Sequence, residues 1–152
     1  MRFLMLMYPG PKIDQQVAEM MKTGKVDPAM TASMEAMGRY NDELIKAGVL
    51  LAAEGLRPSA EAARVRFQGG KPKVTDGPFT ETKEIIGGFW MLEVKSREEA
   101  LEWARRVPAS PEEFVELRQV VELTDFPADL VSPETAAKEQ AFRDASAVAS
   151  KH

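Results

Sequence analysis

Residues 87–99 read Gly-Gly-Phe-Trp-Met-Leu-Glu-Val-Lys-Ser-Arg-Glu-Glu. Phe89, Trp90, Met91 and Leu92 are apolar at both parities, with Val94 beyond, and a strand sends alternate side chains to opposite faces. The run therefore reads as a strand over 87–95 that is covered on both sides. At Ser96 the chemistry changes. Ser96-Arg97-Glu98-Glu99 is a capping box, and it opens a helix that carries Ala100, Leu101, Ala104 and Val107 before Pro108 stops it. A buried strand running straight into a capped helix is half of a split βαβ unit.

The pattern continues on both sides. Downstream, residues 114–123 read as the last core strand, with Val115, Leu117, Val121 and Leu123 on one face and Glu116, Arg118 and Glu122 on the other. Upstream, residues 64–67 and 73–75 flank Gln68-Gly69-Gly70-Lys71, a hairpin turn signal. Its Gly-Gly-Lys lacks the spacing of a phosphate loop and opens no helix. Residues 49–53 read as another strand. Before them, Asp27-Pro28 reads as N-cap and first helical residue of a helix over 28–47, in which Met30, Met34, Met37, Leu44 and Ile45 recur at helical spacing until Gly48. Those methionines read as core filler. Residues 13–22 form a weaker helical pattern, a lid-like excursion, and residues 1–8 an apolar strand ended by Pro9-Gly10.

The order strand, helix, strand, hairpin, strand, helix, strand predicts an α+β fold: a ferredoxin-like split βαβ with an inserted β-hairpin and an antiparallel sheet. One domain spans 1–125, followed by a C-terminal extension over 126–152 that turns helical at Ser132-Pro133. Two helices cover only one face of a four-stranded sheet, yet the first strand and residues 89–94 are apolar on both. A second copy of the chain is the expected cover, giving a homodimer.

Composition narrows the function. The chain has 152 residues, 44% hydrophobic and 29% charged, and a formal net charge of -4 with Lys and Arg scattered singly. No basic stripe is present, so direct nucleic-acid binding is not expected. The absence of cysteine excludes thiolate chemistry, disulfides and iron–sulfur ligation, and the one histidine, His152, is the last residue. Without an internal histidine no Ser-His-Asp set can form, and no carboxylate run has calcium-loop spacing. No metal and no cofactor is expected. The longest apolar run, 3–8, is far below the roughly 20 residues of a membrane helix, which points to a cytoplasmic protein without a membrane partner.

Asp76-Gly77-Pro78-Phe79-Thr80-Glu81-Thr82-Lys83-Glu84, followed by Gly87-Gly88-Phe89, is the most distinctive stretch. With Glu54-Gly55-Leu56, Ala100-Leu101-Glu102-Trp103-Ala104 and Val115-Glu116-Leu117-Arg118, it resembles the DGPF branch of the YCII-related family over residues 3–123. The resemblance implies a dimeric α/β barrel built from ferredoxin-like subunits, and an indirect association with alternative sigma factors, beside which members of this branch occur. Relatives of YCII type are described with a His-Asp pair, the histidine on the first helix and the aspartate just after the second. This chain has neither.

Asp76 before Gly77-Pro78 fits a turn in which its carboxylate accepts backbone N–H groups and Gly77 takes a positive φ. The functional reading makes it a fixed carboxylate at a cleft edge, a general acid/base or a cation ligand. Glu81, Lys83 and Glu84 read as a solvated segment. Glu116 and Arg118 share the strand face that dimerisation would bury, where Arg118 must be paired or must bind an anion through its planar fork. Tyr8 and Trp90 could supply aromatic walls to the same pocket. Three functions follow: a small-ligand-binding or regulatory dimer with a polar cleft for an anionic or polar metabolite, lined by Asp76, Arg118 and Glu116; an enzyme using Asp76 or a neighbouring glutamate on a small organic substrate; or a protein-interaction module docking through residues 132–152.

Overall fold

A computed structural model describes residues 1–79, 84–127 and 129–149. Thr80, Glu81, Thr82 and Lys83 of the distinctive stretch, and His152, lie outside them. The elements are β1 (Arg2–Tyr8), α1 (Gly10–Thr23), α2 (Pro28–Lys46), β2 (Leu50–Gly55), β3 (Ala63–Gln68), β4 (Lys71–Asp76), β5 (Gly88–Glu93), α3 (Arg97–Arg105), β6 (Phe114–Gln119) and α4 (Pro133–Ala149). The main sheet has the order β2-β5-β1-β6 and is antiparallel throughout. This is the ferredoxin-like α+β arrangement, with β3 and β4 as the inserted hairpin.

Local signals account for most boundaries. Asp27 caps α2 by accepting from the Ala29 amide at 2.8 Å, with Pro28 as first helical residue. Ser96 Oγ accepts from the Glu99 amide at 3.2 Å. The return bond of that box shifts by one residue, since Glu99 accepts from the Lys95 amide and not from that of Ser96. Gly69 and Gly70 both take positive φ, 61° and 77°, as a two-residue turn matched to strand twist requires.

Phe3, Met5 and Met7 of β1 join Trp90, Leu92 and Val94 in one buried cluster with Tyr40 and Leu44 of α2 and Ala100 of α3, and Val115 and Leu117 pack on its edge. The helices therefore cover the sheet face that these residues share. Tyr40 donates its hydroxyl to the Trp103 carbonyl at 2.9 Å, and burial pushes the phenol up to about 12. Because the folded state holds that proton more tightly, the stability linked to it is full below pH 10 and falls as pH rises towards 12.

Several expectations are corrected. Of the α2 methionines only Met37 packs on the core; Met34 is 68% exposed, Met30 is half-buried, and Ile45 is exposed. The second half of α2 buries Tyr40 and Leu44 against the sheet, while its first turns line a cavity shared with α1. β6 ends at Gln119 and not at Leu123. The Val120 amide still bonds the Arg2 carbonyl, but β1 starts there and offers no further partner. Glu122 consequently leaves the strand face of Glu116 and Arg118. It caps a 3₁₀ turn over Leu123–Asp125 and accepts from Arg2 Nε at 2.9 Å and from Arg143 of α4. Hydrogen bonding by Arg2 holds its carboxyl below the usual range.

The C-terminal extension is thus tied to β1 through an Arg2–Glu122–Arg143 cluster. Partly exposed ion pairs of this kind contribute on the order of 1 kcal/mol. A chain ending at Phe126 is expected to unfold cooperatively in denaturant with a loss of about that size. A non-cooperative transition would show instead that α4 belongs to the core.

The β3–β4 hairpin stands apart from the main sheet. Val65 pairs with Val74 and Phe67 with Pro72, and Val65, Phe67 and Val74 are 50%, 81% and 62% exposed. Arg66, Lys71 and Lys73 alternate with them onto the other side. A two-stranded hairpin is marginal on its own.

Candidate functional site

The sheet face turned away from α2 and α3 follows from strand parity. Since Phe3, Met5 and Met7 point into the core, Arg2, Leu4, Leu6 and Tyr8 point the other way. Cross-strand register then builds two rows over this face: Glu54, Phe89, Leu6 and Glu116 form one, Ala52, Met91, Leu4 and Arg118 the other. Phe89, Leu6, Met91 and Leu4 are half-buried at the centre. One flank carries Glu54; the opposite flank carries Glu116 and Arg118.

At that second flank Tyr8 stacks on Phe114, rings 4.5 Å apart and 7° from parallel. Burial, reinforced by the Glu116 and Glu84 carboxylates, holds the Tyr8 phenol above its ordinary value, and Arg118 opposes the shift. Arg118 Nε lies 3.8 Å from Glu116, with its side chain 70% exposed. Tyr8, Phe114, Glu116 and Arg118 thus form one amphipathic group: an aromatic wall, a carboxylate and a guanidinium free to fork onto a planar anion. Phe114, not among the residues that the sequence alone singles out, shares the strand parity of Glu116 and Arg118, and that signal is readable in the sequence. Tyr8 and Tyr40 are the chain's two tyrosines. In an absorbance titration both should ionise above pH 10, with Tyr8 first, and Glu116→Gln should move only the earlier step downwards.

Trp90 does not join this group. It belongs to the helix-side cluster, where its indole N–H donates to Asn41 Oδ1 at 2.8 Å. It lines a separate cavity of about 280 Å³ with Met7, Met37 and Asn41. Asp76 stands at the exposed end of β4 opposite Ala63, on the hairpin and not on the main sheet that carries the group. In chain order the hairpin follows β2, which is the edge strand of the main sheet opposite β6.

The turn chemistry expected at 76–78 is not what the structure shows. Gly77 is not among the glycines with positive φ. A Cβ there would sit 2.4 Å from the Ser59 carbonyl oxygen, so close approach of two backbones requires the glycine. The Gly77 amide bonds the Ala62 carbonyl at 2.7 Å, and among the described residues nothing donates to the Asp76 carboxylate. Phe79 lies under the Arg64 guanidinium, 3.8 Å from the ring centroid. The Glu54-Gly55-Leu56 and Gly87-Gly88-Phe89 stretches meet each other, the Leu56 amide donating to the Gly87 carbonyl at 2.8 Å.

The face also has a hollow beside α4. Between it and α4 lies a cavity of about 550 Å³ with Leu51, Phe89 and Met91 on one side and Phe142 and Arg143 on the other. So α4 approaches the apolar face without filling it. Among the described residues there is no group of three or more carboxylate or imidazole ligands placed to hold a metal ion, and no helix is long and apolar enough to cross a membrane.

Two comparisons extend these observations. Residues 1–124 match the family described as the YCII-related domain. Over 72 residues the chain is 38% identical to an uncharacterized protein, R00369, of Rhizobium meliloti (strain 1021), a match that spans 47% of this chain and 58% of that protein.

Proposed function

The chain belongs to the YCII-related domain family, and from that premise we propose that it is a homodimeric small-ligand-binding or regulatory module, of the DGPF branch, with a polar cleft on the open sheet face. The observation that carries this reading is the composition of that face: Leu4, Leu6, Phe89 and Met91 at its centre, and Tyr8, Glu116 and Arg118 beside them. Apolar centre and polar rim is the anatomy of a specific interface. A second copy brings an identical patch and closes it by twofold symmetry. The exposed hairpin supports the same reading, since its apolar side gains the packing it lacks when a partner lies against it.

Closing the face also changes Arg118. A guanidinium stays charged at any accessible pH, and a single long contact to Glu116 among the described residues leaves most of its five donors for a ligand. The ligand is therefore an anion with planar or tetrahedral oxygens, a carboxylate or a phosphate, with the Tyr8–Phe114 stack against its apolar part. Asp76 completes the cleft from the partner's hairpin, a reading supported by its place at the exposed end of a hairpin that is separate from the main sheet.

Native mass spectrometry of the purified full chain should show a retained small molecule. Inorganic phosphate or citrate should raise the melting temperature. Arg118→Met should abolish that rise while leaving the dimer folded, and Asp76→Asn should weaken it. Mixing the two variants should restore one cleft in each mixed dimer, hence about half the binding stoichiometry. Unchanged stabilisation in Arg118→Met would remove this cleft from consideration.

A further inference from the structure

A different cavity is left unexplained by the open-face cleft. It lies on the helix side, between α1 and the first turns of α2, and has a volume of about 450 Å³. That is within the range of small-molecule sites. Its walls are firm for identifiable reasons. α1 is pinned by Asp14, whose carboxylate accepts from both the amide and the hydroxyl of Ser59, at 3.0 and 2.6 Å. At its far end Gly24 takes a left-handed conformation and returns its amide to Met20 at 2.8 Å, and Asp27 then caps α2. The two helices are thereby held apart with Ile13, Met20 and Met30 facing the space between them.

The rim is anionic. Glu19, Asp27 and Glu113 line it against the single cation Lys25. Asp27 and Glu113 each accept from a backbone amide, of Ala29 and Ser110. The Glu19 carboxylate has no partner among the described residues. An apolar pocket bounded by three carboxylates and one ammonium complements a molecule with an apolar body and a cationic head.

We propose that the α1–α2 cavity is a binding site for small apolar amines, distinct from the anion cleft on the other side of the sheet. The methionine side chains supply an adaptable apolar lining, and Glu19 supplies the counter-charge. The site does not depend on dimerisation.

Titration calorimetry of the full chain with phenylbutylamine, phenylbutanol and phenylbutyrate separates charge from apolar fit. The amine should bind roughly tenfold more tightly than the carboxylate, with the alcohol between them. Glu19→Gln should remove most of the amine's advantage over the alcohol. Ser33→Trp, which fills the cavity from exposed surface of α2, should abolish binding of all three; Met30→Trp serves if that variant does not fold. Arg118→Met should leave amine binding unchanged. Binding of the carboxylate as strong as that of the amine would overturn the assignment, as would binding that survives both tryptophan variants or no binding of the amine at millimolar concentration.

Discussion

Replacing Gly77 with alanine is expected to lower the stability of the folded chain by about 3 kcal/mol, the upper part of the range for overpacking a tight site. The added Cβ would meet the Ser59 carbonyl at 2.4 Å and that of Ala62 at 3.1 Å. Both are backbone atoms of the short turn after β2, and neither can swing aside as a side chain would. Ser59 in turn anchors Asp14 of α1, so displacement should reach the helix that walls the α1–α2 cavity. Chemical denaturation reads the loss directly. A change below about 0.5 kcal/mol, the size of an ordinary surface substitution, would show that the close approach at Gly77 is not what the motif is for.

The second large effect concerns assembly. For the proposed dimer, Met91→Asp should raise the dissociation constant by at least about a hundredfold, because it would bury an unpaired carboxylate among Ala52, Leu4 and Phe89, twice over in a symmetric interface. Met91 points away from the helix-side core, so the protomer should keep its secondary structure and unfold cooperatively. Sedimentation velocity and circular dichroism on one sample separate the two outcomes. A variant that remains dimeric would place the interface elsewhere.

What could be read from the sequence was local. The strand at Phe89–Leu92 and the capped start of α3 are written in an unbroken apolar run and in Ser96, and the hairpin in Gly69-Gly70, each within a few residues. The end of β6 was not legible, because it depends on β1 beginning at Arg2. Burial of the α2 methionines depends on whether sheet lies beneath each turn. Gly77 looked like a positive-φ residue because the chain that crowds it, 59–62, is brought there only by the fold.

The candidate site divides the same way. Strand parity alone joined Glu116 to Arg118, and register with β1 added Tyr8. Trp90 could not be placed by parity, because β5 is apolar at every position from Phe89 to Leu92 and either face could have been the helix side. Asp76 sits on a separate two-stranded sheet, and no periodicity relates that sheet to β6.

Closure of the open sheet face by a second copy is the central claim, and the solution mass of the 152-residue chain tests it most directly. Light scattering at micromolar concentration should give twice the protomer mass of 16.8 kDa; a mass of 16.8 kDa would contradict the dimer, and with it the two-subunit cleft at Arg118.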